Sequence, residues 1–241
     1  MARHSHWHNI QLTKGKADAK RAQMFSKFAK GITLAAKEGG ADPSFNFKLR
    51  VAIDAAKAVN MPKDNIERAI ARGAGGGEGV TLEEVVYEGF APGGVAILVQ
   101  CLTDNRHRTV AEVKNIVSKH GGSIGASGSV MWMFEKKGVV GLSDAGLIKD
   151  REAFELAMIE AGADDIQWVH DGVQVICSAA DLKKTMEAWE MIGVKANGAG
   201  LEYIAKNTVT IEDLAVAGQV SELVEALEEN DDVNAVFTNE A

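Results

Sequence analysis

Residues 73–79, Gly-Ala-Gly-Gly-Gly-Glu-Gly, divide the chain into two parts with different hydrophobic patterns. Before this glycine-rich stretch the apolar residues recur at helical spacing, and after it they follow the pattern typical of strands. A phosphate-binding glycine loop needs a strand before the glycines and a helix after them, which is the opposite order. The stretch is therefore predicted to be a flexible linker between a helical domain and an α/β region.

The two parts also differ in charge. Residues 1–75 contain 14 Lys and Arg against 6 Asp and Glu, whereas residues 76–241 contain 12 against 28. The net charge of −8 for the whole chain hides this basic N-terminal segment. Because a localised basic face can bind polyanions while an acidic remainder keeps a protein soluble, the pattern indicates a nucleic-acid-binding module.

Length and composition limit the class of protein. A chain of 241 residues with 46% hydrophobic and 25% charged residues is typical of a folded protein of two or three domains. It has no apolar run of membrane-spanning length and no secretory signal, so we expect a cytoplasmic protein without a membrane partner. Cys101 and Cys177 lack metal-ligand spacing, are predicted to be buried thiols, and no cofactor is expected.

The periodicity predicts three helices over residues 17–72, with their charged side chains on the outer faces. Beyond the linker, strands are expected at residues 85–90, 95–102, 130–134, 138–142, 166–170, 173–177, 201–205 and 233–238. Further helices are expected after Thr109 and at residues 151–161, 182–192 and 211–229.

This order of elements predicts an α+β protein of three domains. The first is a basic three-helix domain with its N-terminal tail, at residues 1–75. Residues 76–137 together with 206–241 form an α/β domain, and residues 138–205 form a ferredoxin-like β-α-β-β-α-β domain inserted in it. Neither lobe has the aromatic motif of RNA-recognition sheets.

The segment 101–112, Cys-Leu-Thr-Asp-Asn-Arg-His-Arg-Thr-Val-Ala-Glu, is the first candidate site. Thr109 and Glu112 match a capping box, so a helix is predicted to begin directly after Thr109. Arg106 and Arg108 would then precede the helix N-terminus, where free backbone N–H groups and two guanidinium groups make an anion site. Alternatively, the two arginines pair with acidic neighbours, and the sequence leaves both interpretations open.

The second candidate site is the N-terminal tail together with the first helix. A basic tail can become ordered on phosphates, and Trp7 either stacks on a base or packs on the helices. Alternating His4, His6 and His8 also fit Cu(II) or Ni(II), but no carboxylate or thiolate nearby completes a site, so no metal is predicted. The candidate nucleic-acid-binding residues are Arg3, His4, His6, Trp7, Lys14, Lys16, Lys20, Arg21, Lys27, Lys30, Arg106 and Arg108.

No catalytic residues are predicted. Residues 121–125, Gly-Gly-Ser-Ile-Gly, match G-x-S-x-G, but a nucleophile elbow needs a strand before the serine and a helix after it. Here a helix comes before and a strand after, so the stretch is interpreted as a glycine-rich helix end. The chain also lacks HExxH, CxxC and Walker motifs, so we expect that it is not an enzyme.

Several motifs in the same order resemble those of the YebC/PmpR family, to which the mitochondrial translational activator of cytochrome c oxidase is similar. They are His4-Ser5-x-Trp7-x-Asn9-Ile10, Asp18-Ala19-Lys20-Arg21, Asn60-Met-Pro-Lys-Asp-Asn-Ile-Glu-Arg-Ala-Ile70, Tyr87-Glu-Gly-Phe-Ala-Pro-Gly-Gly94, Cys101-Leu-Thr-Asp-Asn-Arg106 and Phe134-Glu-Lys-Lys-Gly138. The resemblance implies a cytoplasmic three-domain protein with an N-terminal helical domain. It further implies either transcriptional regulation by DNA binding, or a ribosome-associated role in the translation of difficult peptides such as proline runs.

Three functions therefore stay open. A DNA-binding transcriptional regulator would depend on backbone contacts and on salt, since no helix-turn-helix with a clear reading helix is present in the sequence. A ribosome-associated factor would bind rRNA through the same basic module and recognise its shape. A non-catalytic protein–protein scaffold would use the α/β lobes as docking surfaces.

Overall fold

The computed structural model describes residues 18–76, 82–169 and 171–241. It confirms the α+β fold class, because helices come first and two sheets of four antiparallel strands follow. The N-terminal tail and residues 77–81 of the predicted linker lie outside the described residues. Within the described ranges, no helix is both long enough and apolar enough to cross a membrane.

Three helices form the N-terminal domain: α1 (Asp18–Gly39), α2 (Phe47–Ala58) and α3 (Lys63–Ala71). Asn46 connects the first two, because its side-chain oxygen accepts a hydrogen bond from the Leu49 N–H at 3.1 Å and so caps α2. The amide nitrogen of the same side chain donates to the carbonyl of Ala35 at the end of α1. The helices enclose a small apolar core that includes Ile32, Leu49, Ile53, Met61 and Ile66.

The first part of the predicted linker is ordered against this domain. Arg72–Gly76 form a further helical turn directly after α3. Gly73 is required there, because a Cβ atom at this position would lie 2.3 Å from the carbonyl oxygen of Thr33. Gly73 therefore belongs to the packed end of the helical domain.

The rest of the chain forms two α/β lobes. In chain order their elements are β1 (Glu83–Phe90), β2 (Ala96–Thr103), α4 (Arg106–Lys119), β3 (Ser123–Ile124), β4 (Phe134–Leu142), α5 (Arg151–Glu160), β5 (Ala163–Val169), β6 (Gly172–Ser178), α6 (Leu182–Met191), β7 (Gly198–Ala205), α7 (Leu214–Glu228) and β8 (Val233–Thr238). The first sheet has the strand order β3-β1-β2-β8 and the second has the order β5-β6-β4-β7.

Each sheet is covered by two helices on one face. In the first lobe, Ile97 and Val99 of β2 pack with buried residues of α4 and α7. In the second lobe, α5 and α6 meet through Phe154 and Trp189, whose ring centroids are 4.9 Å apart in an edge-to-face arrangement. The strand order of the second sheet is that of the ferredoxin-like arrangement, with its first and third strands in the centre.

The strand predicted at residues 130–134 is wrong. Met131–Met133 form a short 3-10 turn, and β4 begins at Phe134 and continues unbroken to Leu142. The boundary predicted between residues 137 and 138 therefore falls inside a strand, and the second sheet begins at Phe134.

Glu88 explains why no strand forms there. Its buried carboxylate accepts hydrogen bonds from three backbone N–H groups of the loop, so these N–H groups are not available to a neighbouring strand. The donors are the N–H groups of Gly128 at 2.6 Å, Val130 at 2.9 Å and Met131 at 2.7 Å. Burial alone would raise the pKa of Glu88, but the three backbone hydrogen bonds outweigh it and lower that pKa.

We expect Glu88→Gln to lower the free energy of unfolding by about 1–3 kcal/mol, because Gln offers only one acceptor oxygen and no charge to the three backbone N–H groups that the carboxylate binds. Urea denaturation at neutral pH measures this change. The difference in unfolding free energy between wild type and Glu88→Gln should become smaller as the pH falls through the lowered pKa of Glu88, because the wild-type carboxylate then becomes protonated.

Glu84→Gln is the matched control, because Glu84 lies on the same strand but is exposed. Its expected effect is within ~0.5 kcal/mol. Equal effects of the two substitutions would contradict the role assigned to Glu88.

Candidate nucleic-acid interface

One side of α1 carries most of the lysines that the sequence analysis assigns to nucleic-acid binding. Lys20, Gln23, Lys27 and Lys30 are three or four residues apart and so lie along one side of the helix; we call them the lysine row. The row lies against residues 228–232, Glu-Glu-Asn-Asp-Asp, which connect α7 to β8 and which we call the acidic segment. The row lies on an outer face of the helical domain, as predicted, but this face is in contact with the acidic segment.

The contacts at the outer end of the row are exposed. Lys20 Nζ lies 3.2 Å from Glu229 Oε1, and the two side chains are 52% and 65% exposed. Gln23 Nε2 donates to Asp231 Oδ1 at 3.0 Å and to the carbonyl oxygen of Glu229. Water and salt screen an exposed ion pair such as that of Lys20 and Glu229, so this pair contributes about 0–1 kcal/mol.

The contacts at the inner end are more buried. Lys27 donates to the carbonyl oxygen of Glu228, and burial lowers the pKa of Lys27 to about 8 against the opposing effect of nearby acidic groups. Lys30 Nζ donates to the carbonyl oxygen of Asp231 at 2.9 Å and to Asp232 Oδ1 at 2.6 Å. The inner half of the lysine row is thus part of a domain interface.

Asp232 is the centre of this interface, and only 4% of its surface is exposed. While Oδ1 binds Lys30, Oδ2 accepts from Arg108 Nη2 at 2.7 Å and lies 2.7 Å from the hydroxyl of Thr109. Thr103 at the end of β2 also donates to Oδ2, at 3.2 Å. Burial would raise the pKa of Asp232, but the hydrogen bonds from Arg108, Lys30 and Thr109 outweigh it and hold that pKa well below its usual range.

The start of α4 differs from the prediction. The helix begins at Arg106 rather than after Thr109, because Asn105 is the N-cap and its side-chain oxygen accepts from the Arg108 N–H at 3.1 Å. Thr109 is in the first turn, where its hydroxyl contacts Asp232 instead of capping the helix. The proposed capping box of Thr109 and Glu112 is therefore wrong.

The two arginines of this segment have carboxylate neighbours. Arg106 Nε lies 3.7 Å from Glu83 Oε1, and Arg108 Nη2 lies 3.0 Å from Asp104 Oδ1 in addition to its contact with Asp232. Of the two interpretations left open by the sequence, pairing with acidic neighbours is the one observed. Binding of an external anion by Arg106 and Arg108 stays a prediction.

The structure thus brings part of the predicted site together. Lys27, Lys30 and Arg108 converge on the acidic segment, whereas Lys20 lies at its exposed end and Arg106 lies beside β1. Arg21 follows Lys20 on α1. The six candidates of the tail, Arg3, His4, His6, Trp7, Lys14 and Lys16, lie outside the described residues.

Comparison with known families decides the relationship of the chain. Residues 5–76 match the TACO1/YebC protein N-terminal domain, and residues 82–240 match the TACO1/YebC second and third domain. The chain belongs to the TACO1/YebC family. The expected resemblance is therefore confirmed over nearly the whole chain.

Relatives and a solved structure agree with this assignment. A protein of Persephonella marina is 50% identical over 240 residues, which cover 99% of this chain and 95% of the relative. A protein of Sulfurihydrogenibium sp. is 49% identical with the same coverage, and both are named probable transcriptional regulatory proteins. The crystal structure of a conserved hypothetical protein from Aquifex aeolicus is 43% identical, with a TM-score of 0.89 over 98% of this chain and 97% of that chain.

Two exposed arginines of the TACO1/YebC N-terminal domain were missed by the sequence analysis. Arg68 on α3 and Arg72 just after it are four residues apart, and both are exposed. Arg68 donates to the carbonyl of Asp64, and no carboxylate among the described residues lies within 4.0 Å of either guanidinium group. The i, i+4 spacing of the two arginines was the available signal.

Two exposed aromatic side chains were also missed. Phe45, between α1 and α2, is 90% exposed, and Trp132, in the loop held by Glu88, is 67% exposed. Lys206 Nζ donates to the carbonyl oxygen of Trp132 at 3.0 Å, which places a cation beside this aromatic residue. Within the described part of the chain, no group of three or more His, Cys, Asp or Glu is arranged to hold a metal ion.

We expect Asp232→Asn to lower the free energy of unfolding by about 3–5 kcal/mol, because two cationic side chains lose the charge that they share. Asp231→Asn is the control, since Asp231 is exposed and Asn keeps an oxygen for Gln23; its effect should be below ~1 kcal/mol. Folding lowers the pKa of Asp232. The difference in unfolding free energy between wild type and Asp232→Asn should therefore decrease as the pH falls below the pKa that Asp232 has in the unfolded chain. Equal unfolding free energies for the two variants would contradict the central position of Asp232.

The lowered pKa of Lys27 predicts an alkaline gain in stability. The unfolded chain holds this proton more tightly, so the unfolding free energy of wild type relative to Lys27→Met should rise by about 2 kcal/mol between pH 8 and about pH 10. Urea denaturation over this range measures the difference. Lys48→Met is the control for an exposed lysine, and a pH-independent difference for Lys27→Met would contradict the burial of its ammonium group.

Proposed function

We propose that this member of the TACO1/YebC family is a non-catalytic regulator of gene expression that binds nucleic acid through its N-terminal helical domain. The observation that supports this most is the pair of exposed guanidinium groups of Arg68 and Arg72 in the basic part of the chain. Exposed arginines without a carboxylate partner are the side chains best suited to phosphate, since each offers several N–H donors in a planar fork.

DNA is the first candidate target, as the names of the relatives suggest. Contacts of this type go to the phosphate backbone, position the protein and carry no base information themselves. Affinity should therefore fall steeply with salt, because neutralised phosphates release their counterions. The acidic lobes would remain away from the nucleic acid.

RNA on the ribosome is the second candidate, and the exposed aromatic residues favour it. Phe45 and Trp132 present aromatic side chains to solvent, and Lys206 adjoins the second of them. Unpaired bases of RNA stack on such rings, whereas the bases of a DNA duplex are already stacked on one another.

A scaffold role is the third candidate. The outer side of α5 exposes Leu156 and Ile159, 58% and 61% respectively, which suits a protein contact. A catalytic role has less support. Ser123 of the G-x-S-x-G match lies in the short edge strand β3, which follows α4, so it is not on a strand-to-helix turn.

Reversal of the two arginine charges tests the site. We expect Arg68→Glu with Arg72→Glu to weaken binding of a labelled DNA duplex or rRNA fragment by at least ~10-fold at about 100 mM salt. The slope of log affinity against log salt should decrease by about 2, because two phosphate contacts are lost. Fluorescence anisotropy over a salt series measures both.

The control is Lys149→Glu with Lys183→Glu, which makes the same change in net charge on the exposed surface of the second lobe. We expect a smaller loss of affinity and an unchanged salt slope. Equal losses for the two pairs would contradict a binding surface on the helical domain, and absence of binding by the wild type would contradict the proposed function.

Sedimentation of a cell lysate on a density gradient separates the two targets. Co-migration with ribosomes that survives DNase treatment supports the RNA target. Absence from ribosomal fractions, together with a defined footprint on DNA, supports the transcriptional role.

A further inference from the structure

The lysine row and the acidic segment form a charge-complementary pair within one molecule. Lys20 contacts Glu229 at 3.2 Å, Gln23 contacts Asp231 at 3.0 Å and Lys30 contacts Asp232 at 2.6 Å. The row therefore meets carbonyl and carboxylate oxygens at the distances at which lysines bind the oxygens of a phosphate. An external polyanion and the acidic segment require the same donors.

We propose that residues 228–232 act as an internal competitor that occupies the lysine row and so lowers the affinity of the helical domain for nucleic acid. This proposal rests on the proposed function, because it concerns the regulation of the same basic domain. Within the proposed nucleic-acid-binding surface, Arg68 and Arg72 are always accessible, whereas the lysine row is accessible only where the acidic segment is displaced.

The competition takes place at the outer end of the row. The pair of Lys20 and Glu229 is exposed on both sides, so its partners exchange readily with solutes. At the inner end the lysines stay bound to the acidic segment. Lys27 donates to the carbonyl oxygen of Glu228, and Lys30 shares the buried carboxylate of Asp232 with Arg108. Nucleic acid would thus gain Lys20 without disturbing Asp232.

Salt dependence distinguishes this competition from a general effect of negative charge. While the acidic segment occupies Lys20, that lysine makes no phosphate contact and releases no counterion from the nucleic acid. A competed lysine therefore adds little to the salt slope. A lysine freed beforehand adds about 0.7–0.9 to that slope, as any other phosphate contact does.

The test is the double variant Glu229→Gln with Asp231→Asn, which removes two exposed charges facing Lys20 and Gln23 and keeps their shapes. The matched control is Glu222→Gln with Glu225→Gln, an equal change in net charge at exposed positions of α7 that precede the acidic segment. Affinity for the same labelled oligonucleotide is measured over a salt series in the full chain.

We expect the first variant to bind about three- to tenfold more tightly than the control, with a steeper salt slope. Addition of Lys20→Gln to the first variant should remove most of the gain, because Lys20 is the side chain that it frees. This third protein excludes a gain that comes only from the lost negative charge.

Each outcome decides between the two claims. Equal affinities of the variant and the control, with normal binding by the wild type, overturn the competition and leave the proposed function standing. A gain that persists after Lys20→Gln also overturns it. Absence of binding by every protein overturns the proposed function and the competition together.

Discussion

The carboxylate of Asp232 joins the helical domain to the first α/β lobe. One of its oxygens binds Lys30 of α1, and the other binds Arg108 and Thr109 of α4. A buried carboxylate is stable only when its charge is matched and its lone pairs are occupied, and here four side chains meet that requirement. Through this one residue, the helical domain, the first turn of α4 and the end of β2 are tied to the start of β8.

Because of this contact, the basic and acidic parts of the chain are not two independent surfaces. A basic N-terminal segment and an acidic remainder suggest two surfaces that face different partners. In the folded protein, part of each surface faces the other, because the lysine row contacts the acidic segment. Arg68 and Arg72 differ from the row because they are exposed and no carboxylate among the described residues lies within 4.0 Å of them.

The fold was largely predictable from the sequence, because local patterns determine it. The strands at residues 173–177 and 233–238 follow from local runs of apolar and β-branched residues. Two errors came from contacts distant in sequence: Glu88 takes the donors of the loop near residue 130, and Asp232 takes the hydroxyl of Thr109. The site was predictable only in part, because residue types show which side chains are cationic but not which carboxylates, such as Asp232, will lie beside them.

Hydrogen–deuterium exchange of the full chain, with and without an oligonucleotide, tests the account most directly. The account predicts slower exchange in α3 and in the first half of α1 when nucleic acid is bound, and faster exchange at residues 228–232 as their outer contacts are lost. Protection confined to residues 134–205, with no change in the helical domain, would contradict it.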